Sequence, residues 1–138
     1  ESKIIINKMT DPEGKIFFAD YLKSKGFDIV NFGTDYSCYD IEATHNGETY
    51  FFELKKRNNS STDWGDSIIE KGKYEALDKL DGKVYVVNLF TDCFHIFPLH
   101  ADHEEQNRYA RKTTNWDRTK IHKVFISYPN SDISRREY

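Results

Sequence analysis

A chain of 138 residues, 15% of them aromatic, is long enough to bury one core of its own and short for two, so a single domain over 1–138 is expected. The formal net charge of −3 does not announce a nucleic-acid partner, and no apolar run or signal-peptide pattern points to a membrane, so no membrane partner is expected. Only two cysteines occur, Cys38 and Cys93, with no Cys-x-x-Cys, which argues against structural zinc and for a reduced, cytoplasmic protein.

In chain order, Asp11-Pro12-Glu13 opens a helix, with Asp11 as N-cap and Pro12 at the first helical position. Phe17, Phe18, Tyr21 and Leu22 form its apolar arc and Gly26 ends it. Phe27 to Phe32 reads as a strand, and Gly33 to Ser37 as a loop. Tyr39 to Ala43 and Tyr50 to Lys55 read as a hairpin around Asn46-Gly47, because both central residues of such a turn need positive φ. Asn58 to Thr62 is a polar loop. Asp66 to Leu80 reads as a second helix whose apolar face carries Ile69, Gly72, Ala76, Leu77 and Leu80. Lys83 to Phe90 is a buried strand, and Cys93 to Leu99 its hairpin partner. Ala101 to Trp116 reads as partly helical, and Ile121 to Tyr128 as a last strand.

If Asn46 and Gly47 are the loop residues, counting back along the hairpin places Asp40 opposite Glu53. Directly opposed residues have Cβ atoms about 4.5–5.5 Å apart on one face, so two carboxylates there repel unless a cation sits between them. Lys55 shares that face. Two converging carboxylates beside an ammonium suit a hard divalent cation, Mg²⁺ or Mn²⁺; a solvated face of alternating charges is the competing reading. Glu42, also on this face, is either an accessory ligand or plain surface.

Lys73 falls near the centre of the second helix's apolar face. A buried ammonium is costly without a partner, so its head either reaches the Asp40/Glu53/Lys55 cluster or snorkels to water. Charge is also uneven along the chain. Residues 1–107 hold 12 Lys/Arg against 20 Asp/Glu, a net of −8, and residues 108–138 hold 8 against 3, a net of +5. Arg108, Arg111, Lys112, Arg118, Lys120 and Lys123 in the basic tail, with Lys56 and Arg57 beside the hairpin, are candidate phosphate contacts or a charged surface.

Asp40, twelve intervening residues, and Glu53-Leu54-Lys55 on a hairpin resemble the core signature of the PD-(D/E)XK nuclease superfamily, which includes restriction endonucleases and Holliday-junction resolvases. The proline that often precedes the aspartate is replaced by Tyr39. The resemblance covers roughly residues 12–90 and implies an α/β, restriction-endonuclease-like core in αβββαβ order. That core is a central mixed sheet of four to five strands flanked by helices, with a short C-terminal addition. It further implies that Asp40, Glu53 and the Leu54 backbone carbonyl hold Mg²⁺ or Mn²⁺. Lys55 and Lys73 complete the catalytic set, and cleavage leaves a 5′-phosphate and a 3′-hydroxyl. Many members carry a metal-reaching glutamate on the first helix. By position this is Glu13, whereas the spacing to the helix-ending glycine selects Lys15, with Asp11 or Asp20 as substitutes. A first-turn acid favoured by the helix dipole accounts for Glu13 equally well.

A His100/His103 metal site lacks a His-Glu-x-x-His arrangement, and neither a Gly-x-Ser-x-Gly elbow nor a Gly-x-x-x-x-Gly-Lys loop occurs. The reading is therefore a Mg²⁺-dependent endonuclease on DNA, without a small-molecule cofactor, in the cytoplasm of a microbial or virus-infected cell. A short chain with few additions is compatible with a homodimer. The alternatives are a non-catalytic nucleic-acid-binding or interaction module on the same fold, and a toxin-like RNA-cleaving enzyme.

Overall fold

The computed structural model describes residues 10–111, 120–130 and 134–138, with the side chains of 109–111 and 120–122 outside that description. Helix α1 spans Asp11–Ser24. Thr10, not Asp11, is its N-cap: Thr10 Oγ1 accepts from the Glu13 amide, and Glu13 Oε1 accepts from the Thr10 amide at 3.2 Å. This reciprocal capping box satisfies two orphan amides of the first turn. The helix closes with the Gly26 amide on Lys23 O and the Phe27 amide on Leu22 O.

Strands β1 (Asp28–Phe32), β2 (Ile41–His45) and β3 (Glu48–Lys56) form an antiparallel meander. The β2–β3 hairpin turns at Asn46 and Gly47, whose φ values of 51° and 79° are those a two-residue primed turn demands. Strand β4 (Asp66–Glu70) and helix α2 (Lys71–Asp78) cross over to β5 (Lys83–Leu89), which lies parallel to β3. Strand β6 (Phe94–Pro98) then turns back antiparallel to β5. After it come β7 (Glu104–Arg111), β8 (Lys120–Pro129) and β9 (Ser134–Arg136).

The strands make two sheets, β1-β2-β3-β5-β6-β9 and β4-β8-β7. The principal sheet is mixed and has six strands where four to five are expected, because β9 adds to its edge. One face packs on α1 through Phe18, Ala19, Leu22, Ile41, Phe52, Val87 and Phe94. The other packs on α2 and the small sheet through Phe51, Leu77, Val86, Phe97, Ile126 and Tyr128. Tyr128 is wholly buried, and its hydroxyl donates to Leu99 O at 2.7 Å. That single bond ties β8 to the end of β6.

Two expected helical stretches are strands. Asp66–Glu70 pairs with β8, so Ile69 is buried on a strand and not on α2. Its burial has period two, but one of the two inward residues is Ser67, which hides the alternation in the sequence. Glu104–Arg111 pairs with β8 along its whole length. This polar strand is specified by its partner. The part of the expected helix beyond Arg111, including Trp116, lies outside the described residues. No described helix is long and apolar enough to cross a membrane. Cys38 and Cys93 are both free.

Candidate active site

The β2–β3 ladder holds the expected register from His45↔Glu48 to Ile41↔Phe52. At Asp40 it slips: the Asp40 amide donates to Phe52 O at 2.9 Å, one residue short of the register. Irregular ladder ends re-aim side chains, and here the Asp40 carboxylate turns onto the next strand, where Oδ2 accepts from the Leu54 amide at 2.8 Å. The slip is pinned from β1 by the Gly33 amide, which donates to Asp40 O at 2.8 Å. A Cβ at Gly33 would lie 1.9 Å from Tyr39 O, so the backbones approach too closely for any other residue.

Asp40 and Glu53 line one cleft of about 710 Å³ between the N-terminal end of α1, the β1–β2 loop and the C-terminal end of β3. Lys15, Lys55, Lys56, Arg57 and Lys73 line it too, with Asp11 and Asp35. Five cationic side chains thus share the cleft with four carboxylates, in a chain whose net charge is negative. Lys15 Nζ is 3.2 Å from Asp40 Oδ1 and donates to Gly33 O. Lys73 Nζ is 3.2 Å from Glu53 Oε2 and donates to Cys38 O. Lys55 Nζ stands 3.9 Å from the same Glu53 oxygen and is the more solvent-exposed of the two lysines.

Glu53 is the unusual group. It is 4% exposed, and its carboxyl is pushed up from 4.5 to about 7. Burial is the largest cause, followed by a proton shared with Asp40 and by the Asp40 charge; Lys73 and Lys55 offset this only in part. A buried carboxylate facing a second carboxylate, its burial only partly offset by the lysines beside it, is a donor pair that a cation would stabilise. Mg²⁺ is commonly held by one or two carboxylates with its remaining positions filled by water and phosphate, so this pair fits such an ion. Among the described residues, no group of three or more His, Cys, Asp or Glu assembles a metal-holding cluster.

The other sequence candidates fall in different places. Leu54 lines the cleft, and its amide orients Asp40. Glu13 is occupied by the Thr10 cap, whose hydrogen bonds also lower its pKa, and it does not line the cleft; Lys15, one turn on from Asp11, does. Neither Asp20 nor Glu42 lines it. Arg57 donates Nη2 to Ile68 O at 3.0 Å, joining the end of β3 to β4. Arg108 is bound to Asp66 at 2.6 Å and to Gln106, and Asp66 also accepts from Ser127, so this arginine is built into the small sheet. Lys123 pairs with Glu70 at 2.8 Å. The side chains of Arg111 and Lys120, and all of Lys112 and Arg118, lie outside the described residues. His100 bonds Asp78 and His103 bonds Ala101 O, so the two histidines do not converge.

Sequence reasoning did not pair Lys15 with Asp40. The available signal was helical spacing, since Lys15 stands one turn before the buried Phe18 and Ala19, on the side of α1 that faces the sheet. Gly33 stands in a stretch that reads as loop, and its role depends on a close approach that no local pattern encodes.

No family model and no curated protein matches the sequence. Among solved structures the chain is similar to Hjc, a Holliday junction resolvase from the archaeal hyperthermophile Archaeoglobus fulgidus. The TM-score is 0.54, over 84% of this chain and 88% of that one, at 16% identity. At that identity the likeness is one of fold, and it agrees with the mixed sheet, the flanking helices and the hairpin described above. The chain shares the restriction-endonuclease-like α/β fold of that resolvase.

Proposed function

We propose that this chain is a divalent-metal-dependent endonuclease that hydrolyses DNA phosphodiester bonds. The observation that carries the reading is the Asp40/Glu53 pair: two carboxylates, one buried and held at about 7, inside a cleft rimmed by five cationic side chains. The similarity in fold to a Holliday junction resolvase supports DNA as the substrate class.

Bound between these carboxylates, Mg²⁺ or Mn²⁺ would polarise a phosphate oxygen and lower the pKa of a water molecule. Asp40, fixed by the Leu54 amide, and Glu53, with the Leu54 carbonyl, would hold the ion. Lys55 is more exposed than Lys15 and Lys73, and it orients the attacking water and stabilises charge developing on the phosphate. Lys73, anchored on Cys38 O, holds Glu53 in place and balances its charge. Lys56 and Arg57 extend the positive rim along the backbone path of the substrate.

One observation favours a second reading, a non-catalytic binding module on this fold. Lys15 places an ammonium on Asp40 where a further carboxylate would strengthen metal binding. A cleavage panel separates the two: supercoiled plasmid, four-way junction, single-stranded DNA and RNA, each with and without Mg²⁺ or Mn²⁺. Metal-dependent cutting that Asp40→Ala and Lys55→Ala both abolish is the expected result. A folded, metal-supplied Lys55→Ala protein that still cuts overturns the role given to that lysine. Cutting confined to RNA would replace DNA as the substrate.

A further inference from the structure

Beside the cleft lies a second, smaller cavity of about 210 Å³, between the principal sheet and β4, lined by Arg57, Trp64, Asp66, Asn88, Phe90 and Arg108 among others. Its position relative to the carboxylates follows from strand register. Asn88 is the parallel partner of Lys55, so it stands one strand away from the cleft, at the usual spacing of about 4.8 Å. Arg57 lines both spaces and forms the wall between them.

Two features of this cavity are left unexplained by folding. Asn88 is 1% exposed, yet its Oδ1 has no hydrogen-bond partner. Buried acceptors are rarely left in that state, and an unpaired one in a cavity wall marks a place for a ligand or a water. Trp64 is the converse case: it is 67% exposed, and among the described residues its indole contacts no other ring. An aromatic plane at the rim, a phenylalanine wall, guanidinium donors and a buried amide oxygen together suit a flat heterocycle with N–H groups on its edge. Unstacked nucleobases are recognised by this combination of an aromatic platform and hydrogen bonds to the base edge.

We propose that this cavity receives one unpaired nucleobase of the strand whose phosphate lies in the cleft. The base stacks on Trp64 and donates an N–H to Asn88 Oδ1, while Arg57 separates base from phosphate. The inference rests on the nuclease reading above and adds to it a substrate class: DNA carrying an unstacked base next to the bond to be cut, as at a branch, flap, bulge or single strand.

Fluorescence anisotropy in EDTA tests this without cleavage. Three labelled probes suffice: a fully paired duplex, the same duplex with one unpaired adenosine, and that duplex with an abasic residue in place of the adenosine. Wild type is expected to bind the unpaired adenosine roughly ten-fold more tightly than the other two, the range that one stacked base supplies. Trp64→Ala should abolish that preference and leave duplex affinity unchanged, and Trp64→Phe should retain most of it. Trp64 is a surface side chain, so its replacement does not threaten the fold.

Equal affinity for the adenosine and abasic probes, or a preference that survives Trp64→Ala, overturns the proposal and leaves the cavity as a water site. Metal-dependent cutting of the same duplex, run in parallel, separates the two levels. Cutting without the preference removes only the base pocket, whereas neither binding nor cutting removes the nuclease reading and the pocket with it.

Discussion

Replacing Glu53 by glutamine should make this protein more stable, and by an amount that depends on pH in a defined way. The unfolded chain loses the Glu53 proton near 4.5, and the folded chain keeps it to about 7. Between these values the folded state binds more protons, so its stability is fully present below 4.5 and is lost as pH rises to about 7. At about 1.4 kcal/mol per pH unit, the window removes about 3 kcal/mol from the wild type. Glutamine does not titrate, keeps the size of the side chain, and can donate to Asp40. Melting curves of wild type and Glu53→Gln should therefore coincide near pH 4.5 and separate toward pH 8, with the variant higher by roughly 10 °C for a domain of this size.

A second arm connects the same residue to metal. At alkaline pH, Mn²⁺ should raise the wild-type melting temperature, since a ligand held only by the folded state stabilises it by about 2.7 kcal/mol at a hundred times its Kd. The glutamine variant should gain little. Melting curves that run parallel at every pH would refute the argument, because they would mean that Glu53 ionises in the folded chain as it does in water. A variant less stable than wild type at pH 8 would mean that the Lys73 ion pair outweighs burial and repulsion.

Three further outcomes follow from the same geometry. Lys73→Met keeps the packed stem and removes the cation 3.2 Å from Glu53, so Glu53 should hold its proton to still higher pH. The acid limb of the pH–rate profile should then move upward, and an unmoved limb would uncouple Lys73 from Glu53. Lys15→Ala removes the ammonium on Asp40 and should tighten Mn²⁺ binding by roughly three- to ten-fold, a modest gain because both side chains are partly solvated. Titration calorimetry showing unchanged or weaker binding would reject Lys15 as a competitor of the ion. Gly33→Ala forces a Cβ against Tyr39 O, costing about 1–3 kcal/mol in chemical denaturation and weakening metal binding through Asp40.

The hairpin was the most legible part of the chain, because its information is local. Asn46-Gly47 fixes the turn, and the turn fixes the register as far as Ile41 and Phe52, the pair next to Asp40 and Glu53. The slip at Asp40 was not legible, since it depends on a hydrogen bond from Gly33 on a different strand. Strand β4 was concealed by the buried Ser67, and β7 by a polar composition whose order comes from β8. The basic tail shows the limit of charge counting. It supplies Arg108 and Lys123, and both are bound to carboxylates of β4, so they neutralise the small sheet before they can meet a phosphate.

The cleft's own charges were scattered through the acidic part of the sequence, and this explains how an acidic chain can present a positive rim. Lys15 comes from α1, Lys55, Lys56 and Arg57 from β3 and its end, and Lys73 from α2. In the linear charge count each is outweighed by neighbouring acids, yet the fold gathers all five into the cleft that holds Asp40 and Glu53, where Asp11 and Asp35 are the other acids. The arrangement works against stability at two points: a ladder is broken at Asp40, and a carboxylate is buried at Glu53 with less positive charge than it needs. Both defects fall on one site and both face the same cleft. A fold under selection for stability alone would lose them by a single substitution, whereas one that must hold a cation and a phosphate in this cleft has reason to keep them.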